Sequence, residues 1–188
     1  KVALGGPADA TLIRKGAETE IQSAISRDQA AAMEMHSAVA LTPEGRPMSS
    51  REAVVLISLT KTGYTTPSNV VIRGITPLGV EMRPQVRLTR GRMFKPGSSV
   101  IIVGSSFAKG YDNVSIGDHL RFAQRDWTVV GHFDAGGSGF DSEIWGDVDQ
   151  LMQSFRRTSY SSMAVRLADS DAFDRFRADI DVDPRLAN

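Results

Sequence analysis

Four carboxylates lie close together toward the C-terminal end of this sequence, and paired carboxylates can act as general acid and general base. They are Asp141, Glu143, Asp147 and Asp149. Asp147 stands three residues before Gln150, a spacing typical of a helix N-cap, so a structural role already accounts for it. We expect the others on a loop surface, because nothing in their spacing places two of them in one pocket. A hydrolase that uses these carboxylates stays open as one alternative.

A glycine-rich segment, Gly136-Gly137-Ser138-Gly139, precedes the carboxylates and invites comparison with two motifs. A phosphate-binding loop needs a lysine and then a serine or threonine after its last glycine, whereas the acidic run Phe140-Asp141-Ser142-Glu143 follows here. A nucleophile elbow at Ser138 would need a glycine at its fifth position, where Phe140 stands. The segment is therefore predicted to be a flexible connector.

The chain has three histidines and no cysteine. His36, His119 and His132 are not spaced as i and i+4 on one helix, and none belongs to a recognisable metal-ligand motif. The absence of cysteine excludes disulfides, thiol nucleophiles and thiolate metal sites. We therefore predict no catalytic residue, no metal ligand and no cofactor-binding residue in this chain.

The amino-acid composition restricts the kinds of molecule that this chain is expected to bind. Lysine plus arginine and aspartate plus glutamate number 22 each, so the formal charge is zero and broad capture of nucleic acid is not expected. Four arginines, Arg83, Arg87, Arg90 and Arg92, lie close in sequence and are predicted to form a solvated strand face or loop. No apolar run reaches the ~18 residues of a membrane helix. Because the chain starts without methionine or a secretory pattern, we expect it to be a piece of a longer protein.

The first third of the chain predicts alternating strands and helices. Residues 9–14 form a short alternating segment that indicates a strand. Ser26 and Gln29 form a capping box, and the alanine-rich run after them predicts a helix over 27–36. Residues 37–41 then indicate a strand that ends at a proline- and glycine-containing turn.

The middle of the chain indicates mainly β-structure. Residues 54–59 and 69–75 are β-branched and apolar, which predicts two neighbouring strands joined by a loop. Residues 100–103 predict a buried strand, and 79–135 as a whole contain little helical patterning. Trp127 and Trp145 both lie in strand-like sequence and are expected to fill the core.

The last third returns to alternation of helix and strand. After Asp147, the apolar residues at i, i+3, i+4 and i+7 predict an amphipathic helix. Residues 163–167 predict a strand, and Asp169 or Ser170 is placed to cap a final helix. Two α/β segments with a β-rich insertion between them is the simplest topology that fits this order.

The order and spacing of several short segments resemble the extracytoplasmic (periplasmic) core domain of MacB-like and FtsX-like ABC transporter permeases. These segments are Arg14-Lys15-Gly16-Ala17-Glu18-Thr19-Glu20, Met48-Ser49-Ser50-Arg51-Glu52, Asn69-Val70-Val71-Ile72-Arg73-Gly74-Ile75-Thr76-Pro77, Gly91-Arg92-Met93-Phe94, Val100-Ile101-Ile102-Val103-Gly104, Ile116-Gly117-Asp118, the strand 127–133, and Ser142-Glu143-Ile144-Trp145. Each segment is short, but together they cover nearly the whole chain.

The resemblance implies an α+β fold and a particular division of the chain. Residues 1–188 would form a single extracytoplasmic domain. A porter-like α/β lobe would come from the N- and C-terminal segments, 1–78 and 136–188, and residues 79–135 would form an inserted β-rich lobe. The resemblance supplies no catalytic residues.

The same resemblance implies a place in a membrane assembly. The domain would be inserted between the first two of four transmembrane helices, on the periplasmic or extracellular side of the inner or plasma membrane. Its partners would be those helices, the second permease of a dimer, a cytoplasmic ABC ATPase acting indirectly, and an external adaptor or substrate protein. No nucleic acid is expected.

Three functions follow in order of preference. The first is a non-enzymatic permease domain that transmits ATPase-driven conformational change to substrates or proteins outside the membrane. The second is a free-standing extracytoplasmic module that binds a peptide or lipid, and the third is the carboxylate-dependent hydrolase introduced above.

Overall fold

The protein is described from a computed structural model that covers residues 2–4 and 8–187 of the 188. The strands of this part of the chain are β1 (Val2–Leu4), β2 (Asp9–Leu12), β3 (Ser49–Thr60), β4 (Pro67–Ile75), β5 (Arg87–Gly91), β6 (Val100–Gly104), β7 (His119–Phe122), β8 (Arg125–Asp134), β9 (Ile144–Asp147) and β10 (Ser162–Arg166). The α-helices are α1 (Arg27–Glu34), α2 (Pro77–Glu81), α3 (Ser105–Gly110), α4 (Val148–Ser154) and α5 (Ala172–Val182). Parallel and antiparallel strand pairs with separate helices make this an α+β fold, as the resemblance implied.

The chain divides into two compact units. Unit 1 contains residues 1–52 and 158–188, and unit 2 contains residues 53–157. The division at 52–53 falls inside β3. The predicted lobe limits at 78–79 and 135–136 both fall inside unit 2, and the assignment of lobes stays a prediction.

Unit 1 is built on an antiparallel sheet. The strand order is β1, β2, β10 and then the first residues of β3, with Met163 of β10 paired to Leu12 on one side and Arg51 on the other. Met163 and Leu12 are buried, as is Phe176 of α5. The helix α1 starts where predicted, because the Ser26 side chain accepts a hydrogen bond from Gln29 N while the Gln29 side chain accepts one from Ser26 N.

Unit 2 contains a mixed sheet. The order is the C-terminal part of β3, then β4, β9, β6, β8 and β5, and β7 also pairs with β8. The β4–β9 and β6–β8 pairs are parallel and the others antiparallel. Two apolar clusters pack on this sheet, one around Trp127 and the other around Trp145, and both tryptophans are fully buried as predicted.

The structure differs from two local predictions. Residues 37–41 do not form a strand: only isolated bridges occur there, at Val39 and Leu41. The reason is local, because His36 Nδ1 accepts a hydrogen bond from Ala38 N and the chain turns at this point. The last helix begins at Ala172, so its N-cap residue is Asp171 and neither of the two predicted residues. Asp169 still accepts a hydrogen bond from Ala172 N at 2.7 Å.

None of the helices in the described part of the chain is long and apolar enough to cross a membrane.

Candidate functional site

The segment that carries the predicted carboxylates is buried, which corrects the prediction of a loop surface for two of them. Asp141 and Glu143 expose only 4% and 7% of their surface, and Asp147 exposes 4%. Asp149 alone is exposed, as expected. The sequence prediction was wrong because it treated acidic residues after a glycine-rich loop as solvated, whereas each buried carboxylate here has internal hydrogen-bond donors.

Asp141 closes the glycine-rich loop. Its Oδ1 accepts a hydrogen bond from Ala135 N at 2.5 Å, and its Oδ2 accepts one from Gly137 N at 2.7 Å. Gly136 N is bound by the Asp134 side chain at 2.9 Å. Three successive backbone amides, those of Ala135, Gly136 and Gly137, are therefore bound by carboxylates and are not free to bind a phosphate. The segment is a closed loop where the sequence indicated a connector.

Glu143 forms a buried ion pair with Arg73. Arg73 Nε donates to Glu143 Oε2 at 2.8 Å and Arg73 Nη2 donates to Oε1 at 3.0 Å, so the pair is bidentate. The two side chains expose 4% and 9% of their surface. Trp145 Nε1 donates a third hydrogen bond to Oε2 at 2.6 Å. A carboxylate held by three donors in a closed site is suited to fixing strand positions, since its lone pairs are already engaged.

Aromatic rings complete the surroundings of this pair. The Arg73 guanidinium lies 5.2 Å from the centroid of Phe140, and the Arg83 guanidinium lies 5.3 Å from the same ring. Phe140 meets Trp145 edge to face at 5.5 Å. These contacts keep water from the ion pair and add cation–π attraction. Arg83 is thus half-buried, unlike its predicted solvated position, and donates to Gly79 O at 2.8 Å.

Sequence reasoning missed the Arg73–Glu143 pair, although a signal for it exists. Arg73 interrupts a β-branched apolar run in β4, and an arginine inside a buried strand needs a charged partner. The partner is 70 residues away in sequence and could not be identified from spacing.

Asp147 caps α4 as predicted. Its Oδ2 accepts hydrogen bonds from Gln150 N and from Gly97 N, each at 3.2 Å. Burial raises the pKa of the Asp147 carboxyl above its usual value, and the charge of Asp149 adds to the rise, while the two backbone hydrogen bonds oppose it. The carboxyl therefore holds its proton to a higher pH in the folded chain than in the unfolded chain.

Because the pKa of Asp147 is raised in the folded chain, the effect of Asp147→Asn on the free energy of unfolding should depend on pH. An elevated carboxyl pKa contributes stability at low pH that is lost as the pH rises from the unfolded to the folded pKa. Asparagine keeps the oxygen that accepts both backbone hydrogen bonds and does not titrate. We therefore expect the free energy of unfolding of the variant, relative to the native chain, to increase as the pH rises from about 4, the ordinary pKa of an aspartate, toward neutrality. Urea unfolding across this range measures the difference. The control is Asp112→Asn, which removes an exposed carboxylate of the same unit. If the difference in free energy of unfolding between Asp147→Asn and the native chain does not change with pH, the prediction is wrong.

The histidines have separate structural contacts. His36 Nε2 lies 3.0 Å from Asp179 Oδ2. His119 Nδ1 lies 3.1 Å from the Thr128 hydroxyl, and His132 Nε2 lies 2.6 Å from Val114 O. Within residues 2–4 and 8–187, no three His, Cys, Asp or Glu side chains are grouped so that they could hold a metal ion.

Unit 1 contains a small cavity of about 50 Å³. The residues that line it include Leu12, Ile25, Met33 and Ile180, which are apolar, and Arg14. A volume of this size has room for a few water molecules.

Comparison with known proteins identifies the family. The family model for the MacB-like periplasmic core domain matches residues 6–182. The extracellular domain of the noncanonic ABC-type transporter YknZ from Gram-positive bacteria has a similar fold, with a TM-score of 0.64 and 15% identity, over 90% of this chain and 87% of that one. The periplasmic region of MacB from Actinobacillus actinomycetemcomitans is similar with a TM-score of 0.67 and 13% identity, over 95% of this chain and 84% of that one.

A search of curated proteins found no match. At identities of 13% and 15% the two structures show a shared fold and nothing finer. The match to the family model spans nearly all of the chain and agrees with the resemblance seen in its segments. The chain therefore belongs to the MacB-like periplasmic core domain family and is the extracytoplasmic domain of an ABC transporter permease.

Proposed function

We propose that this domain transmits ATPase-driven movement to a substrate or protein outside the membrane, without catalysing a reaction itself. Membership of the MacB-like periplasmic core domain family supports the placement of this domain in an ABC transporter. The proposed partners are the transmembrane helices of the same permease, a second permease subunit, a cytoplasmic ABC ATPase that acts through them, and an external adaptor or substrate protein. The proposed location is the periplasmic or extracellular side of the inner or plasma membrane.

The proposal rests on how the chain is divided between the two units. Residues 1–52 and 158–188 both belong to unit 1, whereas unit 2 is the uninterrupted segment 53–157. The chain therefore passes from one unit to the other at 52–53 and returns at 157–158. Helices joined to either end of this chain would act first on unit 1, and a displacement of unit 1 would reach unit 2 through two covalent passages. This arrangement suits transmission of movement.

The buried carboxylates support a structural role over the hydrolase alternative. Asp141 binds two backbone amides, and Glu143 binds Arg73 and Trp145. A general acid or base must reach its substrate within hydrogen-bonding distance, and these groups are enclosed and engaged.

Distances in the assembled transporter test the proposal. This domain has no cysteine, so a single cysteine introduced into it gives one spin label per subunit once any cysteine elsewhere in the permease has been replaced. Met35 of unit 1 and Tyr64 of unit 2 expose 76% and 69% of their surface and are suitable positions. In a permease dimer with its ATPase, we expect the distance between the two labels at each position to change when ATP is bound. Electron–electron double resonance without nucleotide and with trapped ATP measures the change.

The control uses the same labelled permeases with an ATPase that cannot bind ATP, for which both distances should stay constant. If the labels keep one distance distribution throughout a functioning ATPase cycle, movement does not reach this domain and the proposal is wrong.

A further inference from the structure

Strand β5 forms an open edge of the sheet in unit 2. It stands last in the strand order and pairs with β8. All five of its residues are exposed, including Leu88, which exposes 39% of its surface. An edge strand of this kind presents backbone N–H and C=O groups to which another extended chain can pair.

The segment that contains this edge carries charge of one sign, although Asp134 of β8 is paired with Arg87. Residues 83–95 contain four arginines and one lysine but no acidic residue, although the whole chain has as many acidic as basic residues. Among the contacts of the described residues, the side chains of Arg87 and Arg90 form no hydrogen bond or ion pair, and Arg92 Nη1 donates to the backbone of Met93 at 3.3 Å. The exposed arginines of β5 are therefore available to a carboxylate from outside the domain.

A β-bulge places Arg87 and Arg90 on the same face of the sheet. They are three positions apart, so in a regular strand they would point to opposite faces. The register instead pairs Arg87 with Asp134 and Arg90 with His132, with the irregularity between Leu88 and Arg90. Asp134 and His132 are two residues apart on β8 and share a face, and directly paired residues lie on one face together. The extra residue, Thr89, thus aligns two arginines along the open edge.

We propose that this edge binds an extended acidic segment of another protein as an added strand. Carboxylates two residues apart on such a segment point to one face, which matches the alignment of Arg87 and Arg90. Protection against unwanted pairing needs only charge on the edge, and lysine is the usual residue for it. Two arginines on one face can do more than prevent unwanted pairing, because a planar guanidinium binds a carboxylate in bidentate geometry. This interaction surface does not depend on whether the domain transmits movement.

A short fluorescein-labelled peptide in which glutamate alternates with valine is the probe. Fluorescence anisotropy with the whole chain should show saturable binding that weakens as salt is added. Arg87→Glu with Arg90→Glu should weaken binding by about tenfold or more, because both carboxylate contacts become repulsive. Arg46→Glu with Lys61→Glu makes the same change in net charge at two exposed positions elsewhere and should leave the affinity nearly unchanged.

Two further measurements separate strand addition from simple charge attraction. A version of the peptide with N-methylated amides keeps the carboxylates but cannot pair with the edge, and it should bind weakly. Hydrogen exchange should slow at residues 87–92 when the unmethylated peptide binds. The proposal is wrong if the N-methylated peptide or the Arg87→Glu and Arg90→Glu double variant binds with unchanged affinity. It is also wrong if the peptide does not bind at all, or if the domain binds anionic vesicles in place of the peptide.

Discussion

Replacing Arg73 with alanine is expected to lower the free energy of unfolding by about 3–5 kcal/mol. The substitution leaves the Glu143 carboxylate buried with Trp145 Nε1 as its remaining donor among the three described above. Removing one partner of a buried pair is costly because the other charge cannot return to water while the chain stays folded. Chemical denaturation at neutral pH measures the loss.

The exposed ion pair between Arg121 and Asp126 provides the matched control. Its N–O distance is 3.0 Å, close to that of the buried pair, but the side chains expose 66% and 63% of their surface. Arg121→Ala should therefore cost less than about 1 kcal/mol. A double variant, Arg73→Met with Glu143→Leu, should recover part of the loss because no unpaired charge remains. If Arg73→Ala and Arg121→Ala destabilise the chain equally, the buried pair does not have the role assigned to it.

Gly104→Ala is expected to destabilise the chain by about 3 kcal/mol or more. A Cβ atom at this position would lie 2.2 Å from Asp141 O and 2.5 Å from Asp141 C, distances at which backbone atoms must move apart. The movement would also stretch the hydrogen bond from Gly104 N to Glu143 O, now 3.0 Å. The measurement is again the free energy of unfolding by chemical denaturation.

Gly110 is the control for this substitution. It ends α3, six residues after Gly104, and a Cβ there would meet no atom within 4 Å. Gly110→Ala should change stability by no more than about 0.5 kcal/mol. A comparable loss in both variants would show that the close approach to Asp141 is not what limits position 104.

The elements that the sequence predicted well are those whose signals are local. The capping box at Ser26 and the cap at Asp147 each depend on residues three positions apart, and both are present in the structure. The strands β3 and β4 follow from β-branched runs separated by a loop. In each case the responsible contacts lie within a few residues, so the order of residue types is sufficient to predict them.

The parts that the sequence could not predict depend on distant partners. Whether Glu143 is exposed or buried depends on Arg73, which lies on another strand 70 residues earlier. The division between the units at 52–53 falls inside β3, where no proline or glycine marks it. Alignment of Arg87 with Arg90 depends on the register against β8. A single sequence contains the residues for each feature but not their pairing.

The closure of the glycine-rich loop by Asp141 has a consequence for how this region can change in length. Surface loops rich in glycine are usually where homologues gain or lose residues. Here Asp141 must meet the amides of Ala135 and Gly137, and two residues later Glu143 must meet Arg73. One residue added between Gly137 and Asp141 would shift both carboxylates away from their partners together. Insertions and deletions in this family should therefore be tolerated in other loops, while the spacing from Ala135 to Glu143 is held by two separate constraints.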